Sequence, residues 1–213
     1  MSDYHARQSD LNKITIIGVG SIGSPLPMAL GKAGLGNIEV WDGDTIERHN
    51  LRNQMFKEDD PGRYKVDAAD EIAREFSSTP LIKKGKMFVP GTDSLTGVVI
   101  SAVDSLEMRQ QIWRYIKDNG RVPLYIEARM VSRLIIIHTF CRPFKPEAIA
   151  LYEAELFSNA KVHREACTER ADFCTALVCA GLIGEQYLKF HEGLPIEKSK
   201  IIFDLKRNIF VET

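Results

Sequence analysis

The stretch from Lys13 to Gly23 constrains this chain more than any other. Lys13 to Gly18 reads Lys-Ile-Thr-Ile-Ile-Gly, a β-branched run suited to a buried strand, and Gly18-Val19-Gly20-Ser21-Ile22-Gly23 follows at once. A G-x-G-x-x-G turn between a strand and a helix is built for a nucleotide. The first glycine permits the tight turn, the second lets the backbone approach phosphates, and the third lets the helix pack on the strand. Phosphates then sit at the positive end of the helix, among N–H groups that lack intrahelical acceptors. The helix is expected over Ser21 to Ala33, with Pro25 and Pro27 in its first turns, where proline is tolerated.

Gly34 and Gly36 end that helix, and Asn37 to Trp41 is a second strand closed by Asp42. A carboxylate there can accept from both ribose hydroxyls, or stand as a solvated strand-end acid. Further on, Tyr64 to Phe76 has helical periodicity, Leu81 to Phe88 is a weak third strand, and Gly97 to Val103 is a continuous apolar strand. Leu106 to Lys117 follows as an amphipathic helix and Val122 to Glu127 as a strand. This alternation predicts an α/β fold, a Rossmann-like doubly wound, mostly parallel sheet. After Arg133 the pattern changes: a strand at Leu134 to Phe140, helices at Lys145 to Phe157 and Ala171 to Phe190, and a hairpin over Ile201 to Val211 turning near Lys206 to Asn208. No linker interrupts residues 1–213, so one domain is expected, with a nucleotide-binding core at about 13–140 and C-terminal helices and hairpin at 145–213.

Charge narrows the partners. The formal net charge is −1, which gives no electrostatic reason to expect nucleic acid. Lys83, Lys84 and Lys86 form the one dense basic cluster and read as a solvated strand edge. No apolar run approaches the ~18–20 residues a membrane span needs, and Met1 to Lys13 lacks the apolar centre of a secretion signal. A cytoplasmic location is therefore expected, with Cys141, Cys167, Cys174 and Cys179 as thiols. None forms a C-x-x-C pair, so a paired-knuckle zinc site is not expected.

The loop after Asp42 reads Asp42-Gly43-Asp44-Thr45-Ile46-Glu47-Arg48-His49-Asn50-Leu51-Arg52-Asn53-Gln54. A nicotinamide dehydrogenase has little use for so many donors and carboxylates beyond its ribose acid. A site that adenylates with ATP needs groups for the ribose, the α-phosphate and the departing pyrophosphate. In this loop, together with Lys65 after Gly62 and Asp104 after the apolar Gly97 to Val103 strand, the chain resembles the ubiquitin-activating-like, ThiF-type adenylyltransferase superfamily. That group's pattern is D-x-D-x-V, then N-L-x-R-Q, then a lysine after a glycine, then an aspartate closing a later strand. One departure stands out: N-L-x-R-Q reads Asn50-Leu51-Arg52-Asn53-Gln54, so Asn53 holds the arginine's place and Arg52 lies one residue earlier.

The resemblance implies attack on the ATP α-phosphorus by a carboxylate, usually the C-terminus of a small β-grasp, ubiquitin-like protein, with Mg²⁺ as cofactor. Lys65 becomes the phosphate cation and Asp104 the magnesium ligand, unless Asp104 serves as N-cap of the next helix. Asn50 bonds a phosphate or organises its loop, and Asp44 holds backbone amides as an Asx turn. Arg52 or Asn53 covers the triphosphate, with Arg7 of a partner subunit as a further source. Arg129 receives the partner's carboxylate tail or a phosphate, or makes a structural salt bridge. Cys167-Thr168 resembles the Cys-Thr pair of thioester-forming relatives, with His163, Arg164 and Arg170 nearby to favour a thiolate. Cys167 is alternatively an ordinary loop cysteine or a metal or redox residue. Cys141, Cys174 and Cys179 read as small core hydrophobes. The expected assembly is a homodimer, and the length leaves no room for the inserted domains of large relatives. An NAD-dependent oxidoreductase and a noncatalytic nucleotide-binding scaffold are the competing readings.

Overall fold

The computed structural model of the protein describes residues 12–78, 80–157 and 172–213. In chain order the elements are β1 (Ile14–Ile17), α1 (Leu26–Lys32), β2 (Ile38–Trp41), a 3-10 turn (Arg48–Arg52), α2 (Lys65–Phe76), β3 (Ile82–Lys84) and β4 (Val98–Ser101). Then come α3 (Leu106–Asp118), β5 (Leu124–Val131), β6 (Leu134–Cys141), α4 (Pro146–Phe157), α5 (Phe173–His191), β7 (Lys200–Asp204) and β8 (Ile209–Glu212). They build one eight-stranded sheet in the order β3-β2-β1-β4-β5-β6-β7-β8.

The half from β3 to β5 is parallel throughout, and each strand from β6 onward runs antiparallel to the one before it. From β1 the chain steps outward to β2 and β3, then returns to lay β4 on the other side of β1. The order therefore reverses between β1 and β4. At such a switch point the loops diverge and leave a crevice beyond the carboxyl ends of the strands.

Strand alternation sends side chains to two apolar layers. On one face Ile14, Ile16, Val40, Ile100 and Ile126 pack under α1, α2 and α5, which contribute Leu26, Leu30, Val66, Ala69, Cys179 and Ile183. On the other face Ile17, Trp41, Val99, Tyr125 and Phe140 meet Ile112, Trp113 and Ile116 of α3 and Tyr152 and Leu156 of α4. Burial on both faces explains why the central strands are runs of valine and isoleucine.

Several elements differ from the sequence reading for physical reasons. The first helix starts at Leu26 with Pro25 as its N-cap, and Ser21 to Pro25 forms tight turns instead. Strand β3 is only Ile82–Lys84, because the chain leaves the sheet edge to bury Phe88 against Trp41, ring centroids 5.4 Å apart. Strand β5 runs on to Val131, since it pairs with β6 along its whole length, from Leu124 opposite Cys141 to Val131 opposite Leu134. The basic cluster does lie at the edge: Lys83 pairs with Asp67, Lys86 with Asp93, and Lys84 and Lys86 lie over the Trp41 ring. Among the described residues no helix is long and apolar enough to cross a membrane.

Candidate functional site

At the switch point the structure has a cleft of about 850 Å³, walled by the glycine turn, the loop after β2, the first residue of α2, and the β4–α3 connection. Each glycine of the turn has a separate reason. Gly18 has φ 92°, and a Cβ there would stand 2.9 Å from the Ala102 carbonyl oxygen. A Cβ on Gly23 would come within 1.8 Å of the Gly18 carbonyl oxygen, so the third glycine is a packing requirement. At Gly20 a Cβ would meet only Gln54 Nε2, at 4.0 Å, and Gly20 lines the cleft. Its missing side chain leaves room for a ligand. Among the described residues no acceptor takes the N–H groups of Gly20, Ser21 or Ile22, which also line the cleft.

Asp42, at the end of β2, is buried and holds this turn in place. Its Oδ2 accepts the Val19 N–H at 2.7 Å and its Oδ1 accepts the Asp44 N–H at 2.9 Å. Burial raises the Asp42 pKa above its ordinary value, against the lowering effect of those two bonds and of Lys65. The Asx-type contact expected of Asp44 thus belongs to Asp42. Asp44 is exposed, and its carboxylate accepts from the Lys65 ammonium at 2.8 Å, while Asp42 lies 4.0 Å from the same nitrogen. A short antiparallel contact puts Lys65 there: Lys65 N–H donates to the Asp44 carbonyl and Ile46 N–H to that of Arg63. Lys65 opens α2, and its side chain is almost wholly buried. A lysine at that end gains nothing from the helix dipole, so its two carboxylate neighbours and the cleft define its environment.

The 3-10 turn carries the family-like loop. Asn50 is buried, and its Oδ1 accepts the Glu47 N–H at 2.8 Å, which organises the loop and leaves its Nδ2 for a ligand. Asn53 and Gln54 line the cleft, whereas Arg52 is exposed and lies outside the lining. Buried Gln54 Oε1 has no partner among the described residues. Trp41 and Phe88 form an apolar wall, with the Trp41 indole fixed by its 2.7 Å bond to Glu39.

Asp104 lines the same cleft from the connection between β4 and α3. It is exposed to the cleft and takes no side-chain or backbone partner among the described residues. The helix cap is its neighbour: Ser105 Oγ accepts the Met108 N–H at 3.3 Å, so the Asp104 carboxylate is free of that duty. No group of three or more His, Cys, Asp or Glu side chains suited to a metal occurs among the described residues. A single free carboxylate fits Mg²⁺ that brings most of its ligands as phosphate oxygens and water.

The structure moves Arg129 away from the position expected for it. Because β5 continues, Arg129 lies inside the strand, buried, and its Nε bonds both oxygens of Glu127 at 2.9 and 3.0 Å. Glu127 is wholly buried; burial pushes its pKa up, but Arg109, Arg129 and His138 outweigh that and hold it below the ordinary value. Of the alternatives for Arg129, the salt bridge is the one present. Arg109, which the sequence reading missed, lines the cleft from the first turn of α3, and its place one helical turn beyond Asp104 was the available signal.

Cys167, with His163, Arg164 and Arg170, and the N-terminal Arg7 lie outside the described residues. Cys179 is core, its thiol pushed up to about 12 by burial. Cys174, expected in the core, is instead exposed in the first turn of α5, because the buried stripe of that helix runs through Thr175, Ala176, Cys179 and Ile183. Cys141 is half-buried.

Fold and cleft together define a doubly wound type of protein whose switch-point cleft is lined by both the glycine turn and Asp104. The chain belongs to the ThiF family, whose model matches residues 5–212. It is 39% identical over 69 residues to the adenylyltransferase and sulfurtransferase uba4 of Neosartorya fischeri, covering 32% of this chain and 14% of that protein. It is 30% identical over 112 residues to adenylyltransferase and sulfurtransferase MOCS3-1 of Zea mays, covering 50% and 24%. Ubiquitin-like modifier-activating enzyme 5 of Arabidopsis thaliana is 27% identical over 120 residues, covering 46% and 28%. The matched region is thus between 14% and 28% of each of these curated relatives' length. Among solved structures, E. coli MccB with ATP superposes with a TM-score of 0.74 at 20% identity, covering 97% of this chain and 65% of that one. PaaA gives 0.73 at 20% identity with the same coverage. These two likenesses establish the fold.

Proposed function

We propose that the protein is an ATP-dependent adenylyltransferase that activates the C-terminal carboxylate of a small ubiquitin-like, β-grasp protein. The observation that carries this reading is the meeting, in one cleft, of an open glycine turn, the Lys65 ammonium and an Asp104 carboxylate that has no partner among the described residues. The names of the curated relatives, two adenylyltransferases and a ubiquitin-like modifier-activating enzyme, support the reaction class and the partner.

In this reading the free N–H groups at Gly20 to Ile22 receive phosphate oxygens, and Lys65 exchanges Asp44 for phosphate as the nucleotide enters. Asn50 Nδ2 and Gln54 supply neutral donors, and Asn53 stands in the arginine's place of the family pattern. The partner's carboxylate oxygen attacks the α-phosphorus, the bond from that phosphorus to the bridging oxygen breaks, and pyrophosphate leaves with the electron pair. Charge grows on phosphate oxygens, so groups already aimed at them lower the barrier. Asp104 would hold Mg²⁺, which neutralises phosphate charge when bound. Cys167 would then take the acyl group as a thioester with release of AMP. A homodimer would bring Arg7 of one copy toward the other's cleft.

Exchange of labelled pyrophosphate into ATP tests the reading, using the protein with a candidate ubiquitin-like partner. Exchange that requires the partner's terminal glycine supports it. ATP binding without exchange identifies a noncatalytic scaffold, and preference for NAD over ATP an oxidoreductase. The Cys167→Ala variant should keep exchange and lose any reducible adduct on a gel.

A further inference from the structure

We propose that Arg109 is a positioning residue that aims Asp104, by gripping the backbone carbonyl just before it while Glu127, itself bonded by Arg129, holds the Arg109 guanidinium. The inference deepens the adenylation reading and takes its rate measurement from it, but its binding measurement stands independently.

The segment between β4 and α3 is short, and among the described residues the Asp104 side chain has no anchor. Its backbone is held at three points. Ala102 N–H donates to the Ile17 carbonyl at 2.8 Å, Ser105 caps α3, and Arg109 donates to the Val103 carbonyl from both Nε (2.8 Å) and Nη2. Of the three, Arg109 is the one whose side chain is also tied to β5, through Glu127, so it sets the peptide before Asp104 against the sheet.

Arg109 is itself held. Its Nε is 3.2 Å from Glu127 Oε1, and that carboxylate, with 0% exposure, is also bonded by Arg129. Glu127 is wholly buried and keeps its charge through its cations, so Arg109 is held there as one of its two arginine partners. The planar fork is needed for this. A guanidinium can face a carbonyl and a carboxylate at once and never loses its proton, whereas an ammonium is a point charge that reaches one or the other. Strand β5 thereby transmits its position to Asp104 through two side chains, and the rigid sheet sets the location of the metal-binding carboxylate.

The test uses Trp41, which lines the cleft, as a fluorescence reporter of nucleotide binding in the full-length protein. Wild type, Arg109→Gln and Arg109→Lys are titrated with ATP in EDTA and again in excess Mg²⁺, and pyrophosphate exchange is measured alongside. Arg109→Gln should bind ATP in EDTA within about twofold of wild type while losing about 10- to 100-fold in the Mg²⁺-dependent gain and in kcat, as supporting residues of metal ligands do. Arg109→Lys should fall between the two, and it carries the test if the glutamine variant does not fold. An unchanged Mg²⁺-dependent gain overturns the inference. So does an equal loss of affinity in EDTA, which would make Arg109 a direct nucleotide contact. If wild type shows the Mg²⁺-dependent gain without exchange, the adenylation reading fails while the variants still decide the positioning role. If wild type shows no such gain, the positioning role falls with it.

Discussion

Asp42 Oδ2 accepts the Val19 N–H at 2.7 Å, so a carboxylate at the end of β2 fastens the glycine turn that follows β1. Parallel neighbours that are far apart in sequence are tied at their carboxyl ends by one side chain. Removing it leaves the Val19 N–H unpaired in a buried site. Asp42→Ala is expected to lower the unfolding free energy by about 2–3 kcal/mol, with a smaller loss for Asp42→Asn, which retains one acceptor. Chemical denaturation measures both; an unchanged midpoint in the alanine variant would mean that the turn supports itself.

The three glycines should separate by function. Gly23→Ala places a methyl group 1.8 Å from a carbonyl oxygen and should cost at least about 3 kcal/mol. Gly20→Ala meets nothing closer than 4.0 Å and should melt within about 0.5 kcal/mol of wild type, yet weaken ATP binding, because its methyl group enters the ligand's space. An alanine at 20 that binds ATP normally would remove the turn from the site.

Lys65 and Asp104 both line the cleft, and among the described residues no bond joins them. Each should lower pyrophosphate exchange by at least about 100-fold when replaced by alanine, while circular dichroism stays native. Either variant at wild-type rate counts against the site as assigned.

Glu155 on α4 provides a pH-dependent clamp. Its Oε2 lies 3.3 Å from His138 Nε2 on β6, and Lys200 of β7 bonds its other oxygen. The His138 contact first, then Lys200, hold this carboxyl at about 2, against burial and below its ordinary 4.5. A carboxyl whose pKa is lower in the folded than in the unfolded chain stabilises fully above the unfolded value and loses that contribution as pH falls toward the folded one. The stability difference between wild type and Glu155→Gln should therefore be largest near neutrality and shrink from about pH 5 downward, toward about pH 2. Urea melts across that range measure it, and a difference that grows on acidification would reverse the sign.

Among the described cysteines, reactivity should follow exposure. Cys174 is exposed, whereas burial pushes the Cys179 thiol up to about 12. Iodoacetamide at neutral pH should label Cys174 well before Cys141 and leave Cys179 unmodified in the native protein. Peptide mass spectrometry reads the order directly, and early labelling of Cys179 would show that α5 opens.

Much of the site was legible because its signals are local. Gly18 and Gly23 are demanded by the geometry of a single turn, the apolar strand before Asp104 by burial on both faces, and the spacing from Asp42 to Gln54 by one contiguous loop. These features fix each residue's conformation within a few positions of itself, and sequence neighbours suffice to reveal them. Arg129 was misplaced for the opposite reason. Pairing with β6 lengthens β5 and turns that side chain onto Glu127, and nothing within Val122 to Arg133 announces the partner strand's reach. Arg52 and Asn53 show the same division: the sequence displays the one-residue slip, but only the 3-10 turn decides that Asn53 meets the cleft and Arg52 does not. By itself, then, the sequence determined the doubly wound half of the sheet and the family to which the chain belongs. The tertiary structure alone decided which cations reach the cleft and what holds Asp104 in place, because those contacts join residues that are distant in the chain and are set by packing between elements.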